Sequence, residues 1–158
     1  MDRRRRAALI LYSTAAAAYA IDRITKVWAE HLLAGRPPVV VIPSVLQLRY
    51  TTNSGGAFSM SQSTPWLFAG ASIVAAAVIL ATSFRHERTL VAVGLGLILA
   101  GALGNVTDRA LRGPHLSGRV VDFIDFHVWP VFNVADSAIV IGAGLLLISS
   151  WVEARKGA

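Results

Sequence analysis

The sequence predicts an all-α membrane protein, a bundle of four transmembrane helices carrying a small β-rich cradle on its extracytoplasmic side. Three observations lead there. Of the 158 residues 54% are hydrophobic and 15% charged, with a mean hydropathy of +0.57, outside the usual range of a soluble domain. Four apolar runs, about residues 7–28, 65–84, 89–112 and 133–151, each approach the roughly 20 residues that cross a hydrocarbon core. The segments between them, 29–64 and 113–132, hold β-branched and polar residues instead. Spans of this number leave too few residues for a second core, so 1–158 is expected to form a single domain.

The first span opens on Arg3-Arg4-Arg5-Arg6 and contains Ala18-Tyr19-Ala20, features shared with cleavable leaders. Asp22, Arg23 and Lys26 continue the helical pattern past that point and further spans follow, which favours a retained helix. The second span has no charged residue from Pro65 to Phe84. In the third, Gly96, Ala100 and Gly104 recur every four residues and let a neighbouring helix approach closely. Between the first two spans, Pro37-Pro38 precedes Val39–Ile42, and Val45–Thr52 follows Pro43-Ser44; both runs read as short strands.

Charge sets the expected orientation. Arg3 to Arg6, Arg85, Arg88, Arg155 and Lys156 lie on one side, against Arg36, Arg49 and Arg119 on the other, so both termini are expected in the cytoplasm and both long loops outside. The net charge of +6 therefore reflects membrane orientation. The cations form no face with interleaved aromatics, which argues against nucleic acid. The absence of cysteine excludes a thiol nucleophile, a Cys-ligated zinc and a disulfide framework. His31, His86, His115 and His127 show no metal-ligand spacing, and neither a metal nor a cofactor is expected.

Carboxylates at or in a bilayer are costly and are by default functional candidates. Asp122, in Val120-Val121-Asp122-Phe123, and Asp136, in Phe132-Asn133-Val134-Ala135-Asp136, stand at the edges of apolar sequence and make an aspartic dyad the leading idea. Apolar neighbours should raise the pKa of Asp122. Asp125 is its rival. Asn133 and Asp136 also form an ordinary helix start, where a carboxylate is favoured in its charged form, so Asp136 is the expected more acidic member. Asp22 and Lys26, spaced i,i+4, either pair as an anchor of the first span or contact substrate. Asn105, Asp108 and Arg109 lie within one helical turn; Asp108 is expected to neutralise Arg109, whose guanidinium is also a candidate for a substrate carbonyl. Asn53 and the glycines of Asn53-Ser54-Gly55-Gly56-Ala57-Phe58 read as a turn that can also hold a substrate backbone.

These pieces, in order along nearly the whole chain, resemble the lipoprotein signal peptidase family, also called signal peptidase II. The resemblance is carried by Asp22-Arg23-x-x-Lys26, Asn53-x-Gly55-x-Ala57-Phe58, Gly101-Ala102-Leu103-Gly104-Asn105-x-x-Asp108-Arg109, Val120-Val121-Asp122-Phe123 and Phe132-Asn133-x-Ala135-Asp136-Ser137. It implies a membrane aspartic endopeptidase that removes the signal peptide from diacylglyceryl-modified prolipoproteins, cutting before the lipidated cysteine. By the same resemblance Asp122 and Asp136 are the catalytic pair, Asn53, Asn105, Arg109 and Asn133 surround the substrate, and Asp22, Lys26, Gly104, Asp108 and Ala135 support it. The family's peptide inhibitor globomycin is an expected ligand, membrane lipid an expected partner, and a monomer the expected state. The stretch Leu111–Arg119 looks longer than the family's, and Ile124–Val131 shorter, which leaves substrate preference open. The rival reading is a small proton-coupled transporter, whose acids would be expected near mid-span.

Overall fold

The fold follows from a chain whose apolar runs are too long for a small soluble core. The computed structural model describes residues 2–54 and 65–156; the expectation for Gly55, Gly56, Ala57 and Phe58 lies outside the described residues. Four helices long and apolar enough to span a membrane are present among the described residues: α1 (Arg3–Leu33), α2 (Pro65–Thr82), α3 (Thr89–Arg112) and α4 (Val134–Lys156). α1 exceeds the expected run at both ends, because Arg3–Arg6 before it and Ala29–Leu33 after it are rich in good helix formers, arginine, alanine, glutamate and leucine.

α3 is the central helix. Half of its apolar window is buried within the protein, against 28% for α1 and 22% for α2 and α4. Small residues make this possible. A Cβ on Gly96 would stand 2.6 Å from the Leu11 carbonyl oxygen of α1, and one on Gly142 of α4 would stand 2.6 Å from the Gly94 carbonyl oxygen of α3. Gly101 and Gly104 face Ala135 and Asp22 just as closely. The expected small-residue seam is therefore real, and it runs against α4 as well as α1. Large side chains such as Val140, Leu147 and Val74 point outward, where lipid rather than water is their solvent.

At one end of the bundle three antiparallel strands form a sheet in the order β1-β2-β3: β1 (Val39–Ile42), β2 (Leu46–Asn53) and β3 (Val120–Asp125). The first two match the expected runs. β3 was not expected as a strand, and it is the one that carries Asp122. It is also the most buried of the three, with Val121 and Phe123 packed against Ala29 and Leu33 of α1. Thr51 pairs with Asp122 and Thr52 with Val121, after a register shift between Leu48 and Thr51. On its other side β3 meets Phe132, whose N–H donates to the Ile124 carbonyl at 3.1 Å. Phe126 and Phe132 stack at 5.9 Å and close the loop that returns the chain to α4.

Candidate active site

The polar residues of the sheet end are organised by one ammonium group. Lys26 is fully buried, and its Nζ lies 3.0 Å from Asp22 Oδ2, 3.0 Å from Asp108 Oδ2 and 3.0 Å from Asn105 Oδ1. The first two are ion-pair contacts and the third is a hydrogen bond, so the ammonium has two carboxylates and one amide oxygen around it. Asp108 is also held by Arg23, and its Oδ2 accepts the Val121 N–H of β3 at 3.2 Å. Asp22 reaches the opposite helix, where its Oδ1 accepts the Ala135 N–H at 3.0 Å. The Asp22–Lys26 pair is thus buried support that joins helices.

One expectation needs correcting. Asp108 does not neutralise Arg109: its cations are Arg23, Lys26 and, at 3.7 Å, Arg112. Adjacent helical residues diverge by about 100°, so Asp108 turns toward α1 while Arg109 turns toward the sheet-end cavity. There Arg109 Nη1 donates to the Asn105 carbonyl at 3.1 Å, and its Nε has no hydrogen-bond partner among the described residues.

Asn133 and Asp136 form a reciprocal helix cap at the start of α4. The Asp136 N–H donates to Asn133 Oδ1 at 2.9 Å and the Asn133 N–H donates to Asp136 Oδ2 at 3.2 Å. The same Asn133 amide donates through Nδ2 to Asp122 Oδ1 at 2.6 Å. Asn105 Nδ2 donates to Asp136 Oδ1 at 2.8 Å, and Asn53 at the end of β2 gives Asp122 a further hydrogen bond. Cap and site are therefore one structure. Asp122, Asp136, Asn53, Asn105 and Arg109 line a single cavity of about 730 Å³.

Asp122 is 1% exposed. Burial, and then the neighbouring charge of Asp136, push its carboxyl up to about 7. Asp125 has the opposite setting. Burial works to raise it too, yet hydrogen bonds from Gln47 at 2.8 Å and Arg49 at 2.6 Å, with the His127 N–H at 2.8 Å, hold it down to about 2. The two acids of one strand are thus a carboxyl that keeps its proton near neutrality and a committed ion-pair member. Among the described residues no group of three His, Asp or Glu side chains is placed to hold a metal ion.

The cavity also draws on residues that the sequence did not single out as site residues. Arg49 and Arg119 reach it from the sheet, Trp129 from the loop after β3, and Phe68 and Ser72 from α2. The arginines were visible only as charges on one side of the membrane, and an apolar span gives no sign of which face looks into a site.

A sequence model of the family described as Signal peptidase (SPase) II matches residues 14–152. The chain belongs to the signal peptidase II family. A lipoprotein signal peptidase of Desulfitobacterium hafniense (strain DSM 10664 / DCB-2) is 41% identical over 151 residues, covering 94% of this chain and 97% of that protein. One from Mycobacterium avium (strain 104) is 42% identical over 153 residues, covering 94% of this chain and 82% of its own. A solved structure described as a bacterial membrane enzyme superposes with a TM-score of 0.83 at 27% identity, covering 94% of this chain and 91% of the other. This signal peptidase is accordingly a multi-pass membrane protease that removes signal peptides, and the transporter reading is not favoured.

The network predicts a stability defect that is separable from chemistry. Lys26→Met leaves Asp22 and Asp108 buried with one cation fewer, and removing one partner of a buried ion pair costs about 3–5 kcal/mol. Melting in detergent should fall accordingly. An unchanged melting temperature would show that the ammonium is dispensable to the fold.

Proposed function

We propose that this signal peptidase is an aspartic endopeptidase in which Asp122 and Asp136 share one proton and cut diacylglyceryl-modified prolipoproteins before the lipidated cysteine. The observation that carries the reading is that both carboxylates line one cavity at the polar end of the bundle and both accept from Asn133, Asp136 from its backbone N–H and Asp122 from its Nδ2. Two neighbouring carboxylates do not both ionise cheaply. Asp122, raised to about 7, is the member that holds the proton.

The cycle then balances. Asp136 takes a proton from water as the hydroxyl oxygen bonds to the scissile carbonyl carbon, and Asp122 gives its proton to the carbonyl oxygen. The resulting gem-diol collapses as Asp136 returns its proton to the departing amine nitrogen, the C–N bond breaks, and Asp122 recovers a proton from one hydroxyl. Both acids end as they began. Arg109, with donors turned to the cavity, holds a substrate carbonyl, Asn53 and Asn105 orient the pair and its peptide, and Asn133, fully buried and not among the cavity-lining residues, orients the pair alone.

Asp122→Asn and Asp136→Asn should each lower cleavage by at least a thousandfold while the protein still inserts, because an amide does not exchange the catalytic proton. Asp125→Asn should retain substantial activity, and Arg109→Lys should lose it despite keeping charge. For wild type, kcat should decline as pH rises through about 7, where Asp122 loses its proton. The stability sign is the same: a raised acid favours the fold below its unfolded pKa near 4, and this advantage is lost as pH rises through about 7. Asp122→Asn should therefore melt above wild type at pH 8, by up to about 4 kcal/mol at 1.36 kcal/mol per pH unit. Near-normal turnover in either dyad variant would remove the assignment.

Orientation is part of the same proposal: both termini in the cytoplasm and the dyad on the extracytoplasmic face, as the arginine distribution favours. A reporter fused at His86 should read as cytoplasmic and one at Pro114 as external. The reverse result would put the dyad out of reach of an exported substrate.

Lipid should dominate substrate binding. Each buried CH₂ contributes roughly 0.8 kcal/mol, so removing the diacylglyceryl group should nearly eliminate cleavage of the same peptide at equal concentration in mixed micelles. Comparable rates for both peptides would mean that side chains alone are read.

A further inference from the structure

Among the described residues that line the cavity, two arginines stand outside any salt bridge: Arg109, which faces the charges of Asp136 and Asp122, and Arg119. The acids described at the sheet end have partners already: Glu30 has Arg112, Asp125 has Arg49, Asp22 has Lys26, Asp108 has Lys26 and Arg23, and Asp122 and Asp136 accept from Asn133 and Asn105. Arg119, immediately before β3, has no ion-pair partner among the described residues. It is exposed, leans on Thr52 through a 3.4 Å contact from Nη1 to Oγ1, and lines the same cavity as the dyad. With the dyad holding one proton and Asp125 cancelling Arg49, Arg109 and Arg119 leave that cavity with a net charge of about +1 by Coulomb bookkeeping.

The walls of the cavity say which part of a substrate meets that charge. Phe68 and Ala71 of α2 and Ile139 of α4 form its apolar, bundle side, and Thr52, Ser54 and Arg119 form its sheet side. A signal peptide is apolar and matches the bundle side, which leaves the sheet side to the chain beyond the scissile bond.

We propose that Arg119 is a specificity-determining residue that favours substrates with an acidic side chain within the first few positions after the cleavage site, and disfavours a basic one there. The proposal rests on the peptidase reading and extends it to the mature side of the substrate. An exposed ion pair shifts binding by a factor of a few, so exchanging Asp for Lys in the substrate should change kcat/KM by about five- to tenfold, mostly through KM. The selectivity should shrink as salt rises, because the pair is screened.

The test uses the full-length enzyme in zwitterionic micelles with two diacylglyceryl peptides that differ only by Asp or Lys at the third mature position. Wild type should prefer the Asp peptide, Arg119→Gln should bring the ratio to near one, and Arg119→Glu should reverse it. Arg119 is a surface residue, so these variants are expected to fold, and the ratio is insensitive to total yield. An equal rate on both peptides in wild type, or a ratio unmoved by Arg119→Glu, overturns the inference while leaving the peptidase reading standing. If Arg119 variants instead change both rates equally, and only when an anionic phospholipid is added, the guanidinium serves a lipid phosphate and the inference fails. Cleavage of neither peptide takes down the peptidase reading and this inference together.

Discussion

The structure depends on satisfying the Lys26 ammonium inside a membrane protein. A buried cation is tolerated when its charge is cancelled and polar atoms surround it, and Lys26 has the ion pairs of Asp22 and Asp108 and the hydrogen bond to Asn105. Those partners are not interchangeable. Asp22 carries the network to the start of α4 through the Ala135 N–H, and Asp108 carries it to β3 through the Val121 N–H. Asn105 carries it to Asp136. One ammonium therefore fixes where two elements that hold the proposed dyad begin.

The amides convert that fixed charge into orientation. Asn105 faces Lys26 with its oxygen, which leaves its Nδ2 to point at Asp136. Asn133 faces the Asp136 N–H with its oxygen, which leaves its Nδ2 to point at Asp122. Neither amide can flip without setting like against like. A carboxylate in either place would add charge to a site that already strains to hold two acids. A hydrocarbon side chain would abandon the donors. Asparagine is the side chain that accepts from the scaffold and donates to the site.

Much of this was legible in the sequence, for identifiable reasons. The helices were, because lipid demands long apolar runs, and so were β1 and β2, where β-branched residues follow a proline break. β3 was not: Val120-Val121-Asp122-Phe123-Ile124-Asp125 looks like an apolar segment interrupted by acids, and only pairing with β2 makes it a strand. Ion pairing was legible within a helix, as for Asp22 and Lys26, and misleading between neighbours. Asp108 and Arg109 are adjacent in sequence and point apart on the helix. Arg23, four residues before Val27 on an exposed-looking face, gave no sign that it belongs to Asp108 across 85 positions.

β3 explains why fold and site are inseparable here. Side chains alternate along a strand, so Val121 and Phe123 enter the apolar cluster with Ala29 and Leu33 while Asp122 faces the cavity. A slip of one residue would bury Asp122 in that cluster and expel the valine. The edge of β3 away from β2 is where such a slip is usually permitted, since its backbone groups lack a neighbouring strand. Here the Val121 N–H goes to Asp108 and the Val121 carbonyl accepts the Asn133 amide at 3.2 Å, while Phe132 pairs with Ile124 farther along. Side chains of the buried network thus stand in for the missing strand. The register that aims Asp122 is held by the same residues that position Asp136, so neither carboxylate is placed without the other.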